Sequence, residues 1–166
     1  MEALGRLFDI SIGAVPTDAV AGAITGKRVH LKNAGGCTIV VVTTGASTDI
    51  TDVDLQQHTA ASSGTTADLD IIDHYYYKSE TTLDGDEVWT RGTQSAASEI
   101  TNVGAASEEL LLVIEVDAAE LSDGYEWISL DIPDLGTNGT RHCAILYILR
   151  DLAVQRAPAS LVQPQA

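Results

Sequence analysis

The chain has 166 residues, of which 45% are hydrophobic and 20% are charged, and this composition is typical of a single globular domain with a sizeable core. Its formal net charge of −15 argues against nucleic acid or an anionic membrane as a partner, because neutralising phosphates needs a basic surface. The sequence has no recognisable signal peptide and no apolar run of about 18 residues. We therefore expect a soluble protein that is made in the cytoplasm.

The negative charge is concentrated in the middle of the chain. Residues 34–140 carry 20 acidic side chains against only Lys78 and Arg91, whereas the two ends together have a net charge of +3. Two interpretations remain open. The acidic middle is either a solvated surface that maintains solubility or a surface to which the weakly basic ends of neighbouring subunits bind.

Alternating apolar and polar residues predict strands at the start of the chain. The first covers residues 8–12, with its three apolar side chains on one half-buried face, and it is expected to end at residues 15–18, which include a proline. Residues 28–32 alternate in the same way, and the β-branched run at 37–43 is typical of a central strand. We expect these last two segments to form a hairpin around a glycine turn.

The middle of the chain predicts a loop and a second hairpin. Residues 44–68 are rich in small and polar side chains and predict a long surface loop with one short strand. Residues 70–78 contain three consecutive tyrosines, and an Asp-Gly turn separates them from a strand at 87–91, which indicates a hairpin. After a polar connection, a further short strand is predicted at 100–103.

The next segments predict two strands joined by a helical turn. Residues 110–116 form a dense apolar strand, and residues 117–120 match a capping box, which predicts a single helical turn. A strand at 125–132 would turn its isoleucine and leucine side chains towards the core. That orientation displays Tyr125 and Trp127 on the opposite face.

The most informative segment is 136–155, in which a turn leads into a long strand that is apolar on both faces. One face carries Cys143, Ile145, Tyr147 and Leu149, and the other carries Ala144, Leu146 and Ile148. A small domain has only one core, so the second face is expected to meet another sheet or a neighbouring subunit. The chain then continues into a tail that we expect to lie on a partner.

The number of short strands and turns predicts an all-β fold. We expect an antiparallel β-sandwich, jelly-roll-like or partly closed barrel, with one short helical turn and an extended C-terminal arm. The predicted organisation is a single β-rich domain over residues 1–156 and the arm over residues 157–166.

No pattern of residues predicts catalysis, a cofactor or a metal site. Asp70 and His74 share one strand face, but a zinc site needs three or four convergent ligands. The acidic stretch at 84–87 lacks the spacing of a calcium loop. Cys37 and Cys143 lie in strand-like runs and are expected to be buried, reduced thiols. The prediction is therefore a protein without enzymatic activity.

The aromatic side chains leave one alternative open, which is a saccharide-binding β-sandwich module. The candidate stacking platform consists of Tyr75, Tyr76, Tyr77, Trp89, Tyr125 and Trp127. Large aromatic side chains are more often found in a core or a subunit interface, and we favour that interpretation.

Three parts of the sequence give the chain a resemblance to a known class of proteins. They are residues 26–33 before the strand at 39–42, residues 72–76, and residues 145–152 with 155–158. With these segments the chain resembles virion structural proteins of tailed bacteriophages over most of its length. The resemblance implies a decoration or cement protein on the outside of the capsid, made in the host cytoplasm, with the major capsid protein and its own copies as partners. It implies a trimer or dimer, and a tail or head-to-tail joining protein is the alternative.

Seven residues are the predicted interface candidates. The aromatic members are expected to fill subunit contacts, the arginines to meet acidic groups of a neighbour, and the aliphatic members to occupy an apolar groove. They are Tyr125, Trp127, Tyr147, Arg150, Arg156, Leu161 and Val162.

Overall fold

The computed structural model describes residues 3–45 and 51–161, and these residues form two antiparallel sheets packed face to face. The strands are β1 (Phe8–Asp18), β2 (Val29–His30), β3 (Ala34–Thr43), β4 (Thr51–His58), β5 (Thr66–Asp68), β6 (Ile72–Glu80), β7 (Thr90–Ala97), β8 (Glu99–Val103), β9 (Glu109–Asp117), β10 (Trp127–Asp131) and β11 (His142–Leu152). The predicted β-sandwich is confirmed. The sheets do not close into a barrel.

The large sheet has six strands in the order β1-β11-β3-β9-β6-β7. Its central strands β3, β9 and β11 alternate between buried residues and partly or fully exposed ones, as expected for a sheet with only one face on the core. Cys37 and Cys143 are both buried and unpaired, as predicted. Cys37 lies opposite Leu149 on β11, so six residues of extended chain separate the two thiols.

The small sheet has five strands, with the order β2-β10-β4-β5, and β8 pairs with the first part of β4, on the same side as β5. Its inner face is apolar, because Leu55, Ile128 and Leu130 are fully buried. The predicted hairpin between residues 28–32 and 37–43 is wrong, since β2 pairs with β10 while β3 belongs to the large sheet. The chain crosses between the sheets there, so these two apolar segments cover the core from opposite sides.

The first strand is longer than predicted and its faces are reversed. It continues through Pro16 with two irregularities in its pairing to β11, which an edge strand tolerates because proline removes only an outward hydrogen bond. Asp9 and Ser11 face inward, whereas Ile10 and Ile12 face outward. The reason is steric, because a Cβ atom added to Gly13 would lie 2.7 Å from the Tyr147 ring. That ring leaves little room under β1 for large side chains.

The short strand predicted near Val53 and Leu55 within the 44–68 loop is present as β4, which is longer than predicted. β7 extends through the predicted polar connection after residue 91. The hairpin of β6 and β7 is confirmed, as are the strands β8 and β9.

The helical content is limited to single turns in the described residues. The predicted turn is present as a 3-10 turn at Ala118–Glu120, where the Asp117 amide donates to the Glu120 carboxylate at 2.9 Å. A second 3-10 turn at Pro158–Ser160 was not predicted. It lies in the segment predicted to be an extended arm, which is therefore not extended throughout.

Candidate functional site

The outer face of the large sheet carries a continuous row of apolar side chains. Strand register places Leu146 opposite both Ile12 and Val40, and Val113 opposite both Val40 and Tyr76. Further apolar residues lie on either side of this row. Together they form what we call the apolar face, which consists of Ile10, Ile12, Val40, Val42, Tyr76, Leu111, Val113, Ala144, Leu146 and Ile148.

The apolar face is open to solvent. Ile10 is 47% exposed, and Ile12 and Val42 are each 44% exposed, while the central members of the row are partly buried by their neighbours within the sheet. An antiparallel sheet with one face in solvent normally carries polar residues on that face. A contiguous apolar patch instead marks a surface that contacts another protein.

A shallow groove borders the apolar face near β6 and β7. Its volume is about 310 Å³, and it is lined by Tyr76, Trp89, Val113 and Glu115. Trp89 is 50% exposed, and its ring is held by Lys78, whose Nζ atom lies 5.2 Å from the ring centroid. A cation over an aromatic ring is an attractive contact, so the tryptophan is anchored at the rim of the face.

Charged side chains lie at the margins of the apolar face. Strand register places the bases Lys78, Arg91 and Arg150 and the acids Glu80, Glu109, Glu115 and Asp117 on the outer face. Glu87 lies beside Lys78, and Asp151 lies beside Arg150. The ten residues of the apolar face itself include no charged side chain, so the charges surround this surface and do not interrupt it.

Arg150 lies at the edge of this surface and is paired within its own chain. Its guanidinium contacts the carboxylates of Asp117 and Asp151, the latter at 3.0 Å, and the Asp117 contact raises the pKa of Arg150. The Arg150 side chain lies directly over Gly36, because a Cβ atom at that position would be only 2.8 Å from the arginine Cζ. Arg150 thus has acidic partners within its own chain, because strand register brings Asp117 beside it, and its contact with an acidic group of a neighbour stays a prediction.

Tyr147 is the interface candidate that the structure contradicts most clearly. Its side chain is fully buried, and its phenol oxygen accepts a hydrogen bond from the Leu130 amide at 3.0 Å. Burial raises the pKa of the phenol. Tyr147 therefore joins the two sheets inside the core and is not available to another protein.

Trp127 and Tyr125 lie on the other side of the sandwich and are half-buried. Trp127 is on the outer face of β10, and its ring stacks on His30 at 4.3 Å with an angle of 5°. His30 in turn contacts Glu126 at 3.1 Å. The predicted display of Trp127 is therefore partial, because one face of its ring is covered.

The aromatic side chains do not converge on a single platform. Tyr75 and Tyr77 pack against the core, whereas Tyr76 and Trp89 line the groove on the large sheet. Trp127 belongs to the small sheet. The structure therefore distributes the residues of the predicted saccharide platform over three environments.

The C-terminal interface candidates lie beside the N-terminal turn. The Arg156 amide donates to the Gly5 carbonyl at 2.7 Å, and its side chain is exposed. Leu161 is half-buried, and one of its methyl carbons would lie 3.3 Å from a Cβ atom on Gly5. Val162 lies outside the described residues. The described part of the arm thus contacts its own chain.

Two buried basic side chains could not be predicted from the sequence. His58 lies between the hydroxyls of Ser129 and Thr66, each 2.9 Å from a ring nitrogen, and burial lowers its pKa to about 4. Arg141 is fully buried and donates to the hydroxyls of Thr43 and Thr51. The hydroxyl groups that contact them belong to serine and threonine, which are too common in this sequence to stand out.

Two groups of carboxylates occur in the described residues. Glu80, Asp86 and Glu87 have oxygen atoms within 4.8 Å of one another on the surface. Asp54 and Asp131 lie in a cleft of about 290 Å³, where burial, followed by the charge of Asp54, raises the pKa of Asp131. Neither group includes a histidine or cysteine, and exposed acidic groups are common without a metal ion.

A scan of protein-family models, a search of curated proteins and a search of solved structures each found no match to this chain. None of the helical segments among residues 3–45 and 51–161 is long and apolar enough to cross a membrane.

Proposed function

We propose that this chain is a non-enzymatic structural protein of a tailed phage virion, which binds the outside of the major capsid shell and stabilises it. The apolar face supports the structural part of the proposal, and half-buried Trp127 and Tyr125 on the small sheet supply the candidate contact with the shell. A folded protein of this size with a contiguous apolar sheet surface works in association with another protein surface. Because the sequence resembles phage virion proteins, we propose that this association occurs in a phage particle.

The proposed mechanism is stabilisation by mass action. A protein that binds the assembled shell but not its separate subunits lowers the free energy of the assembled state. Binding on the outside requires no affinity for the packaged DNA, which fits the net charge of −15. We assign the contact with the major capsid protein to the small-sheet side, where Trp127 and Tyr125 retain exposed surface. This assignment leaves the apolar face for a different protein contact.

The test compares particles that contain the protein with particles from which its gene has been deleted. We expect the deleted particles to release DNA at a lower temperature, measured as the rise in fluorescence of a DNA-binding dye during heating. A complemented strain that expresses the Trp127→Ser variant should restore the protein but not full thermal resistance. Identical release curves for intact and deleted particles would refute the stabilising role.

Gold-labelled antibodies against the protein locate it in the particle. Labelling distributed over the head supports the proposal, and labelling of the tail or the neck supports the alternative of a tail or head-to-tail joining protein. Purified particles without the protein, as judged by mass spectrometry, would refute a virion function altogether.

A further inference from the structure

We infer that the apolar face binds the apolar face of a second copy of this chain, so that the protein is a two-fold symmetric dimer with its large sheets packed against each other. The inference specifies the partner of the surface on which the proposed function rests. It holds whether or not the chain is a virion protein, because it follows from the size, charge and symmetry of that surface.

The area of the outer face matches what a stable dimer needs. Six strands at a spacing of about 4.8 Å form a face roughly 25 Å wide, and nine residues of β9 at about 3.4 Å each give a length of roughly 30 Å. The product is about 750 Å². A stable protein interface buries about 800 Å² on each partner, so the whole outer face, which is the apolar face with its charged margins, is about as large as one such interface.

The charge distribution favours this surface for contact between identical chains. Two copies with a net charge of −15 each repel one another over most of their surface. The apolar face itself contains no charged residue, and at its margins the bases Lys78 and Arg150 are paired with the acids Glu87, Asp117 and Asp151. Interface centres are depleted of charged residues in the same way. The large sheet is thus the side on which two copies can approach with the least repulsion.

Symmetry selects a dimer over a ring. In a ring, the apolar face of one copy would contact a different surface of the next copy. The outer side of the small sheet does not provide an apolar counterpart, because Gln56, His58 and Ser129 are polar and buried within the chain, and the partly exposed residues beside them include Asp54 and Asp131. A two-fold axis instead places one apolar face on the other. Two sheets packed this way are about 10 Å apart, with strands either nearly aligned or crossed.

Sedimentation equilibrium of the full chain and of matched variants tests the inference. The chain has a mass of 17.5 kDa, so the dimer corresponds to about 35 kDa, and we expect that mass at micromolar concentration. Val42→Glu places a charge on the apolar face at a position that is 44% exposed. Val154→Glu is the control, because Val154 is 53% exposed and follows β11 outside the apolar face. We expect Val42→Glu to weaken dimerisation at least tenfold and Val154→Glu to leave it unchanged.

Each outcome decides the inference. A monomeric wild-type chain at 100 µM, or a trimer, would overturn it. A dimer that persists in Val42→Glu would show that another surface joins the copies, and equal loss in both variants would indicate general charge repulsion. Far-ultraviolet circular dichroism establishes that each variant is folded. If Val42→Glu is unfolded, Ile10→Gln on the edge strand β1 makes the same test, since Ile10 is 47% exposed. The two experiments are independent of each other. A chain that does not dimerise leaves the DNA-release curves of the particles unchanged, and particles that lack the protein leave the measured mass of the purified chain unchanged.

Discussion

Buried His58 makes the stability of the sandwich depend on pH. Its imidazole is only 4% exposed and lies between Ser129 and Thr66. Burial, with a smaller contribution from the positive charge of Arg28, lowers its pKa from 6.5 to about 4. The folded chain therefore holds a neutral imidazole over a pH range in which the unfolded chain binds a proton.

The size of the effect follows from the two pKa values. The folded pKa is lower than the unfolded one, so the contribution of His58 to stability is intact above pH 6.5 and is lost as the pH falls towards 4. One pKa unit corresponds to about 1.36 kcal/mol. Lowering the pH from about 7.5 to 5 should therefore reduce the free energy of unfolding by about 2 kcal/mol through this residue alone.

Urea unfolding of the wild type and of His58→Gln at a fixed protein concentration measures this contribution. Glutamine does not titrate, so the difference in unfolding free energy between the two proteins should change by about 2 kcal/mol across this interval. His30→Gln removes an imidazole from the neighbouring β2 strand and reports how much a histidine substitution alters the curves by itself. Parallel curves for wild type and His58→Gln would refute the assignment of the pH dependence to His58.

The contacts of Tyr147 and the burial of the two cysteines lead to further expected outcomes. Tyr147→Phe leaves the Leu130 amide without its acceptor, and urea unfolding should show a loss of about 1–3 kcal/mol, the cost of an unpaired buried donor; an unchanged midpoint would contradict the role of the phenol. Burial raises the pKa values of Cys37 and Cys143 to about 12, so a colorimetric thiol reagent at pH 8 should react slowly with the native chain and at once with the denatured chain. Rapid reaction of the native chain would contradict the placement of these thiols in the core.

The central strands could be predicted because each is a dense apolar run bounded by polar or turn residues. β9 and β11 have apolar residues at every inward position, and both runs appear directly in the sequence. The strand pairing could not be predicted in the same way. Residues 28–32 and 37–43 are separated by a glycine pair that suits a hairpin turn, but Gly35 and Gly36 lie within β3. The chain crosses from one sheet to the other before them.

The buried polar residues were missed because their partners are distant in the sequence. Residues 56–58 of β4 are all buried although all three are polar. His58 is satisfied by Ser129, which is 71 positions away, and Gln57 by Ser122, which is 65 positions away. A run of polar residues indicates a loop unless such partners are known, and a single sequence does not reveal them.

The interface residues depend on a choice that alternation leaves open. In β11 both residue sets are apolar, so a period of two defines the sets but not which of them meets the core. Tyr147 was expected at an interface, but its hydroxyl oxygen accepts a hydrogen bond from the Leu130 amide in the small sheet. This hydrogen bond places the odd-numbered residues of β11 on the core side. The even-numbered set, Ala144, Leu146 and Ile148, then lies outside next to Val40 and Val42. The residues of β11 that we expect to contact a neighbour are therefore these three. Because β1, β3 and β9 place further apolar residues beside them, the expected contact covers the whole apolar face.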